Sequence, residues 1–438
     1  MTENKGLRKT LTPFMLWGLG VGYVISGMYF GWNLGLEKGG TGGMAIATFG
    51  VAIMYVTFTF SYTELACAIP KAGGVFDYAS RAMGKNIGFI AGIAQIVEFI
   101  LAPPAIAFAI GAYFNAFFPQ VPILTVAIVI YFIFTGLNIY GIKAAASFEV
   151  VITVLAVGEL LLFSGLAFPK IEIANLTHNS FPNGWGGVFA AIPFAIWFFL
   201  GIEGLANVAE ETKNPQRDIS KGFGWAIFTL VVLCVLVFIA ATGIAGWEAI
   251  VYKNGISGET SDSPLPLALA KITGSNHLMY HLLITVGLFG LVASFHGLIL
   301  AAGRSTYEMG RVHHIPSFLG KISPRFQTPA NALFGNMVIG IFALLSGKTS
   351  EIIVISVFGA LTLYSISMVS ILLLRKNEPE LERPFRVPFY PLFPIISLVI
   401  ALVSIIAMLI YSFKLGLIYF SILAITFLLY RTFKSSAS

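Results

Sequence analysis

Apolar runs of membrane-spanning length recur through this 438-residue chain and limit its fold more than any single residue does. A bilayer core about 30 Å thick needs about 20 apolar residues in a helix, and only helices and closed barrels satisfy their backbone within lipid. Hydrophobic residues make up 57% of the chain and charged residues 11%, against about 25% charged in soluble domains. The runs have helix length, so the sequence predicts an all-α integral membrane protein.

Twelve transmembrane helices can be placed on these runs. They lie near residues 12–34, 43–68, 87–117, 121–141, 146–168, 187–209, 222–246, 278–309, 329–346, 350–374, 390–412 and 415–433. The third and eighth runs exceed the bilayer thickness, which predicts tilt or extension beyond the membrane.

The basic residues predict the orientation of these spans. If the N-terminus is cytoplasmic and the spans alternate, 20 of the 26 Lys and Arg residues fall on the cytoplasmic side. The outer side keeps only Lys38, Lys170, Lys253, Lys271, Lys348 and Lys414. This bias follows the positive-inside rule and predicts cytoplasmic termini in a plasma membrane, most simply a bacterial cytoplasmic membrane. The net charge of +6 fits anionic lipid headgroups and calls for no nucleic-acid partner.

Glycine and serine interrupt the first and sixth spans at matching places. They are Gly18, Gly20, Gly22, Ser26, Gly27 and Gly31 in the first span, and Gly184, Gly186, Gly187, Gly201 and Gly204 in the sixth. Spans five apart run in opposite directions, and interrupted helices at corresponding places indicate an inverted-repeat transporter. Gly18 and Gly20 are read as close-packing positions, whereas the stretch 22–27 predicts a true break.

Two carboxylates and one aromatic ring lie deep in these runs. Trp197 and Glu203 fall within two turns in the sixth span, and Glu98 lies in the third span ahead of Pro103 and Pro104. A carboxylate at membrane depth is costly and predicts a functional site, and a ring beside a carboxylate suits an organic cation. Structural alternatives are open: Glu203 accepting loosened backbone N–H groups, Glu98 bonding Gln95 or backbone, and Trp197 as a core aromatic.

Four segments resemble the amino acid–polyamine–organocation permeases. They are residues 62–78, residues 198–203 followed by 210–215, residues 304–316 and residues 383–388. The stretch 98–104 resembles the ethanolamine permease branch of that family most.

The resemblance implies a fold with five helices followed by five inverted ones, in which the first and sixth are broken. The transport core would cover 1–388, with inverted repeats at about 12–168 and 187–374, and two peripheral helices would occupy 389–438. The solute pocket would lie between the broken helices, walled by the third, eighth and tenth spans.

The resemblance also implies the residues of the pocket. Ser26, Gly27 and Met28 match the family's unwound first-helix segment, Trp197 matches the ring that stacks on the solute, and Glu203 matches a glutamate of proton-sensitive members. The full predicted substrate-binding set is Val24, Ile25, Ser26, Gly27, Met28, Glu98, Trp197, Gly201 and Glu203.

The coupling ion is less constrained by the sequence. Candidates for proton coupling are Glu203, Glu98 and Glu159. Many relatives use a fifth-helix lysine in place of sodium, but Ala156 is the nearest match here, which leaves the ion open with a proton favoured over sodium.

Three further polar residues of the apolar runs lie outside the predicted pocket. Glu149 near the cytoplasmic end of the fifth span is predicted to be solvated. His296 is read as a satisfied core histidine, and Ser294 as a weak contributor to an ion site.

The predicted function is therefore secondary transport of a small solute, without chemistry on it. Two carboxylates near the pocket and no obvious pocket Lys or Arg favour a small primary amine, above all ethanolamine, moved by alternating access. The alternative is an amino acid permease or an amino acid/amine exchanger of the same family. A non-transporting receptor on a transporter scaffold is a further alternative, which binding without counterflow in vesicles would favour. A channel is disfavoured because no filter repeat stands out, and a membrane enzyme because no nucleophile or metal cluster does. ATP-driven transport is disfavoured because the chain has no Walker A motif. No cofactor or metal is expected, and the partners are the solute, a coupling ion and the lipid bilayer.

Overall fold

A computed structural model describes residues 9–140 and 145–435, without the side chains of residues 145, 146 and 433–435. The end of the fourth predicted span at residue 141 lies outside this part of the chain. So do Lys5, Arg8, Lys143 and the side chain of Lys434, which the count of basic residues includes.

Every regular element in the described ranges is a helix, and β-pairing there is limited to isolated bridges between Leu11 and Thr212 and between Tyr252 and Thr260. The α-helices are α1 Pro13–Gly22, α2 Ser26–Tyr29, α3 Asn33–Ala68, α4 Val75–Met83, α5 Lys85–Asn115, α6 Ile123–Tyr140, α7 Ala145–Ala167, α8 Ile173–Thr177, α9 Gly184–Trp197, α10 Pro215–Ala245, α11 Glu248–Val251, α12 Pro264–Thr273, α13 Leu278–Arg311, α14 Ala330–Leu345, α15 Thr349–Asn377, α16 Leu392–Tyr411 and α17 Phe413–Ser435. Three 3₁₀ helices cover Phe168–Lys170, Ile202–Glu211 and Ser317–Gly320. The all-α prediction is confirmed.

Within the described residues, ten helical segments are long and apolar enough to cross a membrane. They contain α3, α5, α6, α7, α9 with the 3₁₀ helix after it, α10, α13, α15, α16 and α17. The other two predicted spans correspond to α14, which has 16 residues, and to α1 with α2. Neither is a continuous helix of spanning length.

The first predicted span is not one continuous helix, and one of its two interruptions lies within the stretch 22–27, where the sequence predicts a break. Residues 23–25 form a turn after α1, and Phe30 is extended (φ −161°, ψ 174°) after α2. Ser26, Gly27 and Met28, predicted to be unwound, instead form one helical turn between these two interruptions. The Ser294 hydroxyl accepts a hydrogen bond from the Ser26 N–H (2.9 Å) and donates to the Gly22 carbonyl (2.6 Å), which satisfies backbone groups around the first interruption.

The sixth predicted span is interrupted in its middle. Helix α9 ends at Trp197, residues 198–201 form a turn, and the 3₁₀ helix Ile202–Glu211 follows. Gly201 has φ of +102°, a conformation that L side chains rarely adopt and glycine adopts freely. This places the interruption immediately before Glu203.

Helix α5 lies in the interior of the bundle, between α13 and α15, and α3 packs along α9. Helices α6, α14, α16 and α17 carry large exposed apolar side chains, among them Phe132, Phe342, Ile410 and Leu428. An outer surface of this kind suits lipid hydrocarbon, whereas Glu98 of α5 is fully buried inside the bundle.

Candidate functional site

Two buried carboxyl groups meet at the centre of the bundle. Glu98 comes from α5 and Glu203 from the 3₁₀ helix that follows the interruption in the sixth span. Both side chains are fully buried, and their carboxyl groups lie side by side. The structure thus brings together two of the residues that the sequence singled out.

The pair has fewer hydrogen-bond donors than two carboxylates need. Neither oxygen of Glu98, nor Oε1 of Glu203, receives a hydrogen bond from a donor group in the described part of the chain. Two adjacent carboxylates in a low-dielectric interior repel each other strongly. A proton shared between them, or a cationic group beside them, is what this arrangement can accommodate.

Two tyrosines hold one side of the pair, and sequence reasoning missed both. The Tyr364 hydroxyl of α15 donates to Oε2 of Glu203 at 2.9 Å, and the hydroxyls of Tyr55 and Tyr364 are 2.9 Å apart. Neither residue stands out among 16 tyrosines in the chain. The one available signal was the place of Tyr364 in the tenth span, which the family resemblance puts along the pocket wall.

Glu98 is positioned by close contact between α5 and α15. The Ser356 hydroxyl donates to the Glu98 carbonyl at 3.0 Å, and a Cβ on Gly359 would lie 3.0 Å from the Glu98 nitrogen. Gln95, considered as a structural partner of Glu98, instead donates to the Asn207 side chain at 3.2 Å. The Glu98 carboxyl group is therefore not occupied by Gln95.

Trp197 lies against the first interrupted segment. Its ring packs edge-to-face on Phe30, with centroids 5.5 Å apart, and it is 3% exposed. Its indole N–H has no acceptor in the described residues. A Cβ on Gly27 would collide with the Trp197 carbonyl, so α2 and the end of α9 touch backbone to backbone.

The remaining predicted binding residues are buried around this contact. Val24, Ile25, Ser26 and Met28 are each at most 3% exposed. Gly201 sits beside the Tyr23 carbonyl, since an added Cβ would lie 3.3 Å from that oxygen. The ends of the two interrupted segments therefore pack directly on each other.

Glu159 belongs to a separate contact between α7 and α2. Its Oε2 accepts a hydrogen bond from the Tyr29 hydroxyl at 2.7 Å, and the Tyr113 hydroxyl donates to the Tyr29 carbonyl at 2.9 Å. The carboxyl group is buried and satisfied on one oxygen by a residue of the first interrupted segment.

The prediction that Glu149 is solvated is wrong. Glu149 is 1% exposed, and its Oε2 lies 3.3 Å from Nδ1 of His296 on α13. Its position near the start of α7 suggested solvent, but α13 and α1 pack over this helix and cover it. His296 has a polar partner, as its reading as a satisfied core histidine requires.

The His, Cys, Asp and Glu side chains were predicted to form no metal site. Over residues 9–140 and 145–435, no group of three or more His, Cys, Asp or Glu side chains is arranged to hold a metal ion. The buried polar chemistry described above consists of carboxyl, phenol and imidazole groups.

Apolar helices of spanning length, with two interrupted segments that meet beside buried carboxyl groups, define an integral membrane protein of the transporter class. The sequence profile of the family described as "Amino acid permease" matches residues 11–429. The chain belongs to this family, which confirms the family-level resemblance, and it is a permease rather than an enzyme.

Curated relatives are similar over nearly the whole chain. The methylthioribose transporter of Bacillus subtilis is 27% identical over 90% of this chain and 87% of its own. The branched-chain amino acid permease BcaP of the same species is 27% identical (91% and 88%). The low-affinity putrescine importer PlaP of Escherichia coli is also 27% identical (89% and 87%).

Proposed function

We propose that this permease is a secondary transporter that imports a small primary amine, with ethanolamine as the favoured solute, across the plasma membrane. The observation that carries the proposal is the buried Glu98–Glu203 pair, three of whose four carboxyl oxygens have no hydrogen-bond partner among the described residues. An ammonium group would supply both the positive charge and the N–H donors that this pair lacks. The putrescine importer among the relatives supports an amine as the cargo.

The proposed architecture has twelve crossings, with repeats at 12–168 and 187–374 in opposite orientation, peripheral helices at 389–438, and both termini cytoplasmic. The interruptions at residues 23–25 and 30–32 and at residues 198–201 support it. In an inverted repeat, interrupted helices lie at corresponding places and face the solute.

The solute would bind where the two interrupted segments meet. Its ammonium would lie between the carboxyl pair and the face of Trp197, which is the strongest cation–π ring. Backbone groups of Val24, Ile25, Ser26, Gly27, Met28 and Gly201 would line the remainder. Rocking of the first and sixth segments against α5, α13 and α15 would then change the side from which the site is open.

Proton coupling is proposed in preference to sodium coupling. Two carboxyl groups this close hold one proton more readily than they hold two negative charges. In the singly protonated pair the other carboxylate can hold the solute ammonium, so one proton and one solute would be bound together at Glu98 and Glu203. Glu159, bonded to Tyr29 of the first interrupted segment, is the reserve candidate for this role.

A second candidate function is amino acid transport or amino acid/amine exchange. The branched-chain amino acid permease among the relatives favours it. An amino acid carries a carboxylate as well as an ammonium, so its binding would need backbone N–H groups of the interrupted segments. The two candidates therefore differ in what they require of α2 and of the carboxyl pair.

Uptake in proteoliposomes tests the proposal. Radiolabelled ethanolamine should accumulate saturably, and unlabelled leucine in excess should not compete. Saturable leucine uptake that excess ethanolamine leaves unchanged would overturn the choice of an amine and support the amino acid permease.

Glu203→Gln tests the role of the carboxyl pair. Because the amide cannot take up or release a proton, the pH dependence of ethanolamine uptake should flatten while the protein still inserts into the membrane. Glu248→Gln, at a partly exposed carboxylate of α11 that accepts a hydrogen bond from Asn179, is the control. A wild-type pH profile in Glu203→Gln would reject the proton role of Glu203.

A further inference from the structure

We propose that Glu149 and His296 form a proton-binding pair that is separate from the solute site and controls the first interrupted segment. The inference rests on the proposed transport function, which it extends by assigning a second site. Glu149 lies on α7 and His296 on α13, two helices that pack on each other. Their nearest polar atoms are 3.3 Å apart, and the residues are 1% and 6% exposed.

A carboxyl group and an imidazole in this contact form a site for protons. With the carboxyl group ionised and the imidazole neutral, the pair carries one buried negative charge, and one added proton gives either an ion pair or a neutral hydrogen-bonded pair. The two states differ by a full unit of charge in a region that excludes water. Such a difference has strong effects on neighbouring dipoles.

The second oxygen of Glu149 points toward the first interrupted segment. Oε1 is buried and receives no hydrogen bond in the described ranges. A Cβ on Gly22 would lie 2.8 Å from this oxygen and 2.9 Å from Oγ1 of Thr153, whose hydroxyl donates to the Gly18 carbonyl at 3.2 Å. A buried carboxylate oxygen without a donor is costly, so the end of α1 lies against an atom whose energy depends on whether a proton is present.

Helix α13 connects the pair to the same interruption. Ser294, two residues before His296, donates to the Gly22 carbonyl and accepts from the Ser26 N–H. The turn at residues 23–25 is thus spanned by one side chain of the helix that carries His296. A change in charge at the pair acts on Gly22 directly through Oε1, and on both sides of the turn through the position of α13.

Other charged and titratable groups come from the surrounding elements. Tyr23, after α1, is near Glu149 and also near the ion pair of Arg304 and Glu211. Tyr131 of α6 packs on Phe295 beside His296, Asp218 is buried on α10, and Glu159 on α7 is bonded to Tyr29. Arg304 already has a carboxylate partner, so its charge is largely compensated where it lies.

Transport assays separate the pair from the solute site. The protein is reconstituted into liposomes, and radiolabelled ethanolamine is followed in two modes, as counterflow without gradients and as accumulation driven by an imposed pH gradient. In Glu149→Gln and in His296→Gln, we expect accumulation to fall about tenfold while counterflow stays within about twofold. His281→Gln, at a histidine of the same helix that packs on Phe117, should accumulate like wild type.

The outcomes are distinct. Wild-type accumulation in both pair variants would overturn the proposal, and so would counterflow without any pH-driven accumulation in the unaltered protein. Accumulation driven by a sodium gradient at fixed pH would indicate a sodium ion and not a proton as the coupling ion, and would also overturn the proposal.

A second measurement does not depend on the solute. The ¹³Cε1 signals of labelled histidines are followed against pH, and the His296 signal is assigned with His296→Gln. The pH dependence of the His296 signal should differ between wild type and Glu149→Gln, and that of the His281 signal should not. If ethanolamine, putrescine and leucine all fail in counterflow, the proposed function fails, and this measurement still decides: a His296 signal with the same pH dependence in both proteins overturns the pair.

Discussion

At the scale of single residues, the site depends on buried polar groups that would destabilise the fold without a hydrogen-bond partner. The Tyr364 hydroxyl donates a hydrogen bond to the Glu203 carboxyl group, and that hydroxyl is in contact with a second one on Tyr55. A hydrogen bond to a buried charged group contributes about 1.5–3 kcal/mol. The tyrosine therefore sets the orientation in which Glu203 meets Glu98 and any solute.

Tyr364→Phe should weaken solute binding by about tenfold, which corresponds to about 1.4 kcal/mol. The ring is retained, so the change removes the donor to Glu203 together with the hydroxyl contact to Tyr55. Ligand-dependent thermal shift with ethanolamine measures the affinity, because binding to the folded state raises its stability. Tyr78→Phe is the matched control, since the Tyr78 hydroxyl is buried without a partner in the described residues. Equal affinities in the two variants would contradict the role given to Tyr364.

Asp262 makes a pH-dependent contribution outside the membrane-spanning helices. Burial raises the pKa of Asp262 to about 6, against the opposing effect of a hydrogen bond from Thr349. The folded protein therefore binds this proton more tightly than the unfolded chain, and its contribution to stability is lost as pH rises from about 4 to about 6.

Asp262→Asn should remove that pH dependence and stabilise the protein at pH 7 by about 1 kcal/mol, a value reduced for partial exposure. Thermal midpoints in detergent between pH 4 and pH 7.5 measure it. Glu172→Gln, at an exposed carboxylate before α8, should leave the profile as in wild type. A profile for Asp262→Asn that parallels wild type would refute the account.

At the scale of elements, the interruptions matter because the two segments touch there. A Cβ on Gly27 would collide with the Trp197 carbonyl, a backbone atom that cannot rotate away. Overpacking of this kind costs about 1–3 kcal/mol. In contrast, a Cβ on Gly50 of α3 would meet nothing within 4 Å.

Gly27→Ala should lower the thermal midpoint and reduce ethanolamine counterflow about tenfold, since a loss of about 1.4 kcal/mol at the contact corresponds to a tenfold effect. Gly50→Ala adds a methyl group in open space and should match or exceed wild-type stability, because alanine favours the helix. Counterflow and thermal midpoint are measured on both. Full transport by Gly27→Ala would show that the α2–α9 contact does not limit function.

The helices themselves were predictable, because long apolar runs have few alternatives in lipid. What the runs could not predict were contacts between distant helices. Glu149 lies near the start of α7, where a solvated residue is expected, and it is α13 and α1 that bury it. The helical turn at Ser26–Tyr29 likewise depends on a hydrogen bond from Ser26 to Ser294, which is 268 residues away in the sequence. The residues around Tyr364 give no indication of its hydrogen bond to Glu203.

At the scale of the whole molecule, one buried carboxylate ties together three distant parts of the chain. Glu64, near the end of α3, is 1% exposed and bonds the Arg375 guanidinium of α15 at 2.8 and 2.6 Å. It also accepts from the Val387 N–H at 2.7 Å and lies 3.3 Å from Nε of Arg383. The segment that precedes α16 is thereby fixed to the ends of α3 and α15.

Glu64→Ala should lower stability by about 3 kcal/mol, because it leaves the Arg375 and Arg383 guanidinium groups and a backbone N–H without their shared acceptor. The contact of Arg375 with the Tyr390 ring, 4.0 Å from the centroid, would hold part of the guanidinium in place and limit the loss. Thermal midpoints at one scan rate measure the effect, since membrane proteins commonly unfold irreversibly. Glu37→Ala removes a carboxylate whose pair with Lys38 is solvent-exposed, and such pairs contribute about 0–1 kcal/mol. If both variants lose the same small amount, the contacts around Glu64 do not hold the helix ends together, and the attachment of α16 must rest on its apolar packing against α3 and α15.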